Sequence, residues 1–405
     1  MPAGRAEMLA WIDRQQDRLL ETVAAWAGIS SWSRDPGGIE AMQTAAAQAF
    51  GCLGPVSRIP ARPREEITDT GEERSVAVAD ILSLRREAAA ACPRVLLGIH
   101  LDTVHSPGPA CPPVELTEQG RILRGPGVTD AKGGLAVMLV AIEAFERYGP
   151  ADRLGWEVFI NADEELGSPG SGLFLAEAAT RNDLGLLYEP AIDDAGTLAG
   201  ARKGSGNFTI VIRGRAAHAG RHFADGRNAL TVAARLALAC DRLNAAGRDL
   251  TVNVAALHGG EAFNVVPDLA VLRINVRAAT ADDAGWATSR LQEAVTQADD
   301  TEGCSATLHG TFHCPPKPLD ARTRALLERV AAAGESLGLA IEQQPTGGVC
   351  DGNKLAAAGL PTIDTLGVRG GGIHSPGEYL VVESLVERAK LTALVLADLA
   401  SRGLP

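Results

Sequence analysis

Apolar and polar positions along this chain fall into two rhythms that alternate over most of its length. From about residue 6 to 50, charged and apolar residues recur at helical spacing. A break at Asp35-Pro36-Gly37-Gly38 separates an amphipathic opening helix from an Ala- and Gln-rich one over Glu40–Phe50. Val95–His100 is a short apolar run and predicts a buried strand. Lys132–Tyr148 predicts a helix opened by Gly-Gly, Glu157–Ala162 a strand, Gly172–Ala179 a helix and Leu186–Tyr188 a strand. This succession predicts an α/β fold built on a mixed, largely parallel sheet with helices on both faces.

The rhythm changes near Gly200. Phe208–Arg213 alternates as a strand, Asn228–Asn244 is helical, and Thr251–Leu257 and Ala270–Arg277 read as strands. A helix over Ala281–Ala298 and a strand over Ser305–Phe312 complete a β-α-β-β-α-β order, the ferredoxin-like α+β motif. Gly200 and the cluster Pro315-Pro316-Pro318 bound it like two crossings of a hinge. The α/β pattern then resumes with helices over Arg322–Leu337 and Val382–Ala400. The expected organisation is a catalytic domain of residues 1–199 and 315–405, interrupted by a smaller domain of residues 200–314.

Composition narrows the function classes. A chain of 405 residues with 46% hydrophobic content is long enough for two packed cores. Its net charge of −12, with no basic stretch, argues against nucleic acid and against an anionic membrane as partners. The opening segment lacks the uninterrupted apolar core of a signal peptide, and no run approaches the ~20 apolar residues of a membrane span. Seven scattered cysteines without a C-x-x-C pair fit free thiols in a reducing cytoplasm and disfavour a cysteine zinc site.

Candidate chemistry collects in five segments, four of them just after apolar runs of strand character: VLLGIHLD, GPGVTDAKGG, NADEELGS, LLYEPA and GGGIHSPGEYL. His100 and Asp102 lie two apart at a strand end and point to one side, where a carboxylate can fix an imidazole's tautomer. Alone, that pair is an ordinary hydrogen bond. Asp130 sits in a Gly/Pro turn before a helix, where N-capping is the ordinary role, and GPGVTDAKGG lacks the ending of a phosphate loop. Glu164 and Glu165 follow Asp163, and three successive carboxylates repel unless cations or protons compensate them. Glu189 precedes Pro190, and His374 lies in a glycine-rich loop. Jointly, two histidines out of eight and three carboxylates form a mixed N/O set suited to Zn²⁺, with one aspartate able to bridge two ions. No G-x-S-x-G elbow or activated thiol competes.

With these segments the chain resembles the di-zinc aminoacylase/carboxypeptidase family, metallopeptidase family 20, which includes glutamate carboxypeptidase, acetylornithine deacetylase and succinyl-diaminopimelate desuccinylase. The resemblance spans nearly the whole chain. It implies a zinc-peptidase-like catalytic domain, with His100, Asp130 and Glu189 on one zinc and Asp130, Glu165 and His374 on the other; Co²⁺ or Mn²⁺ substitutes in such centres. It also implies Glu164 as general base, Asp102 behind His100, and homodimers formed through the inserted lid domain. Gly-Arg-Ala-Ala-His218-Ala-Gly resembles the family's lid histidine, which steadies the oxyanion in the partner's site. Asn264 and Arg277 match positions that grip a substrate α-carboxylate. Thr346-Gly347-Gly348 resembles the glycine-rich substrate loop, followed here by Val349-Cys350 rather than glycine and a small polar residue; Ala131 stands where an acidic residue is common. The implied activity is hydrolysis of an amide in a small N-acyl amino acid or dipeptide-like substrate with a free carboxylate. A deacetylase, desuccinylase or ureido-acid amidohydrolase is the alternative within the family, and a non-catalytic metal-binding homologue the alternative outside it.

Overall fold

The computed structural model describes residues 3–89, 91–109, 111–299 and 303–405, so Met1 and Pro2 of the opening segment lie outside the described residues. Helices α1 (Ala3–Asp13), α2 (Gln16–Ala27) and α3 (Pro36–Phe50) lead into strands β1 (Ser57–Ile59), β2 (Arg64–Ile67), β3 (Glu73–Val76), β4 (Ile81–Arg86) and β5 (Arg94–His100). Next come β6 (Glu115–Thr117), β7 (Ile122–Arg124), α4 (Gly134–Tyr148), β8 (Gly155–Asn161), α5 (Gly172–Arg181), β9 (Leu184–Leu187) and β10 (Leu198–Arg202). The middle of the chain forms β11 (Gly204–Arg213), α6 (Ala229–Asp241), β12 (Leu250–Gly259), β13 (Leu269–Ala278), α7 (Ala281–Ala298) and β14 (Ser305–Cys314). It closes with α8 (Ala321–Glu335), β15 (Gln343–Thr346), α9 (Asp351–Ala357), β16 (Thr362–Ile363), β17 (Gly370–Gly371), β18 (Tyr379–Val381) and α10 (Glu383–Arg402).

The central sheet runs β1-β4-β8-β5-β9-β16. β8, β5, β9 and β16 pair in parallel, while β1 and β4 are antiparallel at one edge. β8 is buried along its whole length and β5 from Val95 onward, as expected of parallel strands covered on both faces. Their carboxyl ends therefore deliver side chains to one rim, where an open α/β sheet places its ligands. The break before α3 has a local cause: Asp35 caps the helix, accepting from the Gly37 and Gly38 amides at 3.2 Å, and Pro36 occupies the first turn.

Two expected elements shift at the site. The helix read from Lys132 begins at Gly134, because residues 128–133 form one wide turn that carries Asp130. The strand read at Leu186–Tyr188 is Leu184–Leu187, so Tyr188 and Glu189 lie beyond its end. Gly134 lets α4 approach that end closely: a Cβ there would lie 2.0 Å from the Tyr188 carbonyl oxygen. The strands between Ser57 and Arg86 were not read from the sequence; β2 (Arg-Glu-Glu-Ile) and β3 (Glu-Arg-Ser-Val) are mostly polar and carry no apolar stripe.

Residues 204–314 build a separate antiparallel layer of order β12-β13-β11-β14. The even-numbered residues of β11 and β13, among them Phe208, Ile210, Leu272 and Ile274, join α6 and α7 in a second core. The odd-numbered face presents Val211, Arg213, Arg273, Asn275 and Arg277 to the rim at the strand ends and to the β2–β3 hairpin. That hairpin docks on it: Arg213 Nη2 donates to the Gly71 carbonyl at 2.8 Å, and Arg273 Nη2 donates to the Ile67 carbonyl at 2.8 Å and to Asp69 at 2.7 Å. Among the described residues no helix is long and apolar enough to cross a membrane.

Gly134→Ala is expected to cost about 1–3 kcal/mol in a denaturant titration, the usual cost of overpacking, because the clash is with backbone. Gly285→Ala, at an exposed helical site with open space, is expected to stabilise by roughly 0.5–1 kcal/mol. Equal effects from both substitutions would contradict the close approach of α4 to the strand end.

Candidate metal centre

His100 closes β5 and is buried with both ring nitrogens engaged. Nδ1 lies 2.9 Å from the Asp102 main-chain carbonyl and 3.3 Å from its Oδ1. Two acceptors on that side put a proton on Nδ1 and leave Nε2 as the nitrogen facing the site. Nε2 lies 3.0 Å from Asp130 Oδ1 and 3.7 Å from Glu189 Oε2. On the opposite side His374 Nε2 lies 3.3 Å from Asp130 Oδ2 and 3.2 Å from Glu165 Oε2. Asp130 thus points one oxygen at each histidine. His100, Asp130 and Glu189 offer ligand atoms within 4.8 Å of one another, and so do Asp130, Glu165 and His374.

Asp102 does more than face His100. Its carboxylate accepts from the Glu164 amide at 3.3 Å, the Glu165 amide at 3.2 Å and Ser33 Oγ at 2.8 Å. One buried carboxylate therefore ties the end of β5 to the turn after β8. His374 takes φ 60°, a left-handed conformation uncommon outside glycine, which turns its ring back towards Asp130. The Asp130–Ala131 peptide is cis.

The charge pattern calls for cations. Burial, then the charge of Glu189, pushes the Glu164 carboxyl well above its usual range. Burial, against the His374 contact and helped by Asp130, pushes Glu165 up to about 7. Hydrogen bonds to Asp130 and Glu165 raise His374 to about 10. Burial opposes charge on His100, yet Glu189, Asp102 and Asp130 outweigh it and raise that imidazole too. Glu165 Oε1 is buried with no hydrogen-bond partner among the described residues. Crowded carboxylates, imidazole lone pairs aimed inward and an orphaned carboxylate oxygen fit divalent ions held by N and O donors. Binding such ions displaces the protons that the carboxylates otherwise hold on the two histidines.

Three supporting groups escaped the sequence reading. Glu378, four residues after His374 in the same loop, is buried and accepts from the Gly127, Thr129 and Asp130 amides at 3.0, 2.9 and 3.0 Å. His105 Nε2 lies 2.6 Å from the same carboxylate. Its nearness to His374 was a usable signal, but only the fold shows what it holds. The second group is a buried knot: Lys317 Nζ and Arg202 Nη2 contact Asp364 at 2.6 and 2.9 Å, leaving one surplus positive charge near Glu189. Despite burial, Arg202 and Lys317 hold Asp364 down at about 2. The third is His313, pushed down to about 4 by burial, Lys354 and Arg277.

A cavity of about 1230 Å³ joins the rim that bears Asp130, Glu165 and Glu189 to the antiparallel layer. Arg277 and Thr346 line it, and Arg277 Nη1 donates to the Gly347 carbonyl at 3.4 Å. Thr346 is placed there by its pairing with Arg202 between β15 and β10. His218 and Asn264 are not brought to this cavity. They share an exposed edge, where the Ala219 amide donates to the Asn264 carbonyl at 2.9 Å and His218 pairs with Val265.

The profile of peptidase family M20/M25/M40 matches residues 96–398. Carboxypeptidase G2 of Pseudomonas sp. strain RS-16 is 30% identical over 312 residues, 76% of this chain and 74% of that protein. A succinyl-diaminopimelate desuccinylase of Bordetella pertussis is 28% identical over 348 residues, 80% of this chain and 89% of that protein. The crystal structure of human carnosine dipeptidase 1 superposes with a TM-score of 0.73 over 98% of this chain and all of that one, at 15% identity. That last likeness is one of fold.

Glu378→Gln is expected to weaken metal binding by roughly 10–100-fold, the usual worth of a group that orients a ligand. Competition with a chromophoric chelator measures it. Unchanged affinity would show that the Asp130 turn holds its shape without Glu378.

Proposed function

From the premise that this chain belongs to peptidase family M20/M25/M40 and is a metal-dependent hydrolase, we propose that it cleaves an amide or peptide bond in a small N-acyl amino acid or dipeptide-like substrate with a free carboxylate. The observation that carries the reading is Asp130 set between His100 and His374, with Glu164 beside them and Arg277 on the same cavity. We assign His100, Asp130 and Glu189 to one Zn²⁺ and Asp130, Glu165 and His374 to a second, with Co²⁺ or Mn²⁺ as substitutes. Two such ions supply Lewis acidity that polarises the scissile carbonyl and lowers the pKa of the attacking water.

The chain's own groups do the rest. Glu164, held by Asp102 through its amide, takes the water's proton on a carboxylate oxygen and passes it to the leaving nitrogen. Arg277 donates to Asn275 and to a main-chain carbonyl, so its guanidinium has donors left for a substrate carboxylate. Thr346 lines the cavity beside it, and Gly347, which accepts from Arg277, is assigned to the same substrate loop.

His218 and Asn264 enter this scheme from a second subunit. Residues 200–314 act in this reading as a lid and dimerisation domain, and residues 1–199 with 315–405 carry the metals. The edge bearing His218 and Asn264 also exposes Phe263 completely and Val265 in part, an apolar tip suited to contact with a partner. A two-fold dimer presents the same edge to both sites, so His218 of one chain donates to the oxyanion formed in the other. Cysteines outside disulfides favour a cytoplasmic setting.

A screen of the zinc-loaded protein over N-acyl amino acids and dipeptides, varying one side at a time, tests the activity. Hydrolysis that stops on chelation and returns with zinc supports the reading; activity that survives complete metal removal would end it.

Glu164→Gln is expected to keep its metals and lose roughly 10²–10⁴ in kcat, the worth of a positioned general base. Glu165→Gln is expected to weaken one ion instead. Exchanged phenotypes would reverse the two assignments.

His218→Ala should lower kcat without changing metal content. Mixed with Glu164→Gln subunits, it should regain activity, since one hybrid site then holds a normal base and a normal histidine. A mixture that stays inactive after demonstrated subunit exchange would place His218 outside the partner's site.

A further inference from the structure

We propose that the β2–β3 hairpin carries a second anion-binding subsite of the same cavity, and that the preferred substrate bears a carboxylate at the end of its acyl chain as well as on its amino acid. The inference rests on the amidohydrolase reading above and adds its substrate class.

Register places the groups. Glu66 lies opposite Arg74, and Arg64 precedes Glu66 by two residues, so these side chains share one face of the hairpin. All three line the cavity that also holds Asp130, Glu164 and Glu189. Arg64 Nη1 lies 2.6 Å from Glu66 Oε2, and Arg74 binds the other oxygen of that carboxylate through Nε at 2.9 Å. Arg34, from the loop before α3, lines the same cavity and acts on the same carboxylate. Two guanidiniums thus contact one carboxylate and a third acts on it through charge alone, so three positive charges share one carboxylate on this stretch of wall.

The other arginines of the cavity are accounted for differently. Arg273 is paired with Asp69 and Arg202 with Asp364. Arg277 has no carboxylate partner among the described residues and is assigned to the substrate's amino-acid carboxylate. The wall formed by Arg34, Arg64 and Arg74 therefore presents a separate demand for negative charge. A guanidinium has five donors in a fork, so Arg64 and Arg74 can keep Glu66 and still receive a second carboxylate.

The hairpin is held in place at both ends. Near its base the Arg62 amide donates to the Gly170 carbonyl at 3.2 Å, in the loop just after Glu164 and Glu165. At its tip Gly71 has φ 69°, and a Cβ there would lie 2.8 Å from Val211 Cγ1, so only glycine seats the turn against the antiparallel layer. A subsite whose backbone is already ordered avoids much of the entropic cost of binding. The cavity, at about 1230 Å³, is also larger than the ~300–1,000 Å³ of common ligand pockets. It has room for an acyl chain longer than acetyl.

The test compares N-succinyl and N-glutaryl amino acids with their ω-amide twins, which differ only in the terminal charge. Each kcat/KM ratio of acid to amide is expected to exceed roughly tenfold, the scale of hydrogen bonds to charged groups, and to shrink as salt is raised. Arg64→Gln with Arg74→Gln should bring the ratio close to one, whereas Glu66→Gln should increase it. Metal content and melting temperature check that each variant folds. A wild-type ratio near one, or a ratio that survives the double substitution, overturns the subsite. Calorimetric binding of the same twins to zinc-loaded Glu164→Gln protein separates the two claims. If neither twin is cleaved but the acid still binds about tenfold more tightly, the hydrolase reading fails and the subsite stands. If both twins are cleaved and bound alike, the hydrolase reading stands and the subsite falls.

Discussion

A carboxylate that faces two imidazoles at once must be held still, because an aspartate side chain free to rotate would satisfy only one of them. Asp130 meets this constraint through its backbone. The amides of Gly127, Thr129 and Asp130 itself all donate to Glu378, and Glu378 belongs to the loop that brings His374 to the other side. The two loops therefore position each other. Asp102 performs the matching service on the sheet side, joining His100 to the turn of Glu164 and Glu165. Hydrogen bonds to a charged acceptor are each worth roughly 1.5–3 kcal/mol, so the two frames are stiff compared with the side chains they carry.

Part of the candidate metal centre was legible in the sequence because some of its residues follow short apolar runs. His100 ends β5 and Glu189 follows β9, and each run is buried enough to read as a strand. The mixed, largely parallel sheet followed from the same runs. Boundaries were less legible where tertiary contacts override local preference. Lys132 and Gly133 fit a helical pattern, but the wide turn that orients Asp130 absorbs them. The β2–β3 hairpin escaped notice for the opposite reason. Its strands carry mostly charge, and what stabilises them is the layer they dock on, more than 130 residues later in the chain. Glu378 and Asp364 likewise have roles set by partners far away in sequence, a fact no spacing rule records.

The same distinction separates chemistry from specificity. Rim residues sit on the central sheet and the turns it supports. The other walls of the cavity come from the antiparallel layer, the hairpin and the loop after β15, which meet only in the folded chain. Ion pairs such as Arg273 with Asp69 join the hairpin to the layer. The hairpin thus both lines the cavity and ties its walls together.

Metal stoichiometry tests the central claim most directly, since an Asp130 shared between two ions would make them interdependent. Elemental analysis of protein reconstituted with zinc and freed of excess should find two ions per chain, and Asp130→Asn should lose both together. Glu189→Gln should lose one and keep the other. A wild-type protein that holds a single ion, or an Asp130→Asn protein that still holds two, would contradict the shared carboxylate on which this account of the site depends.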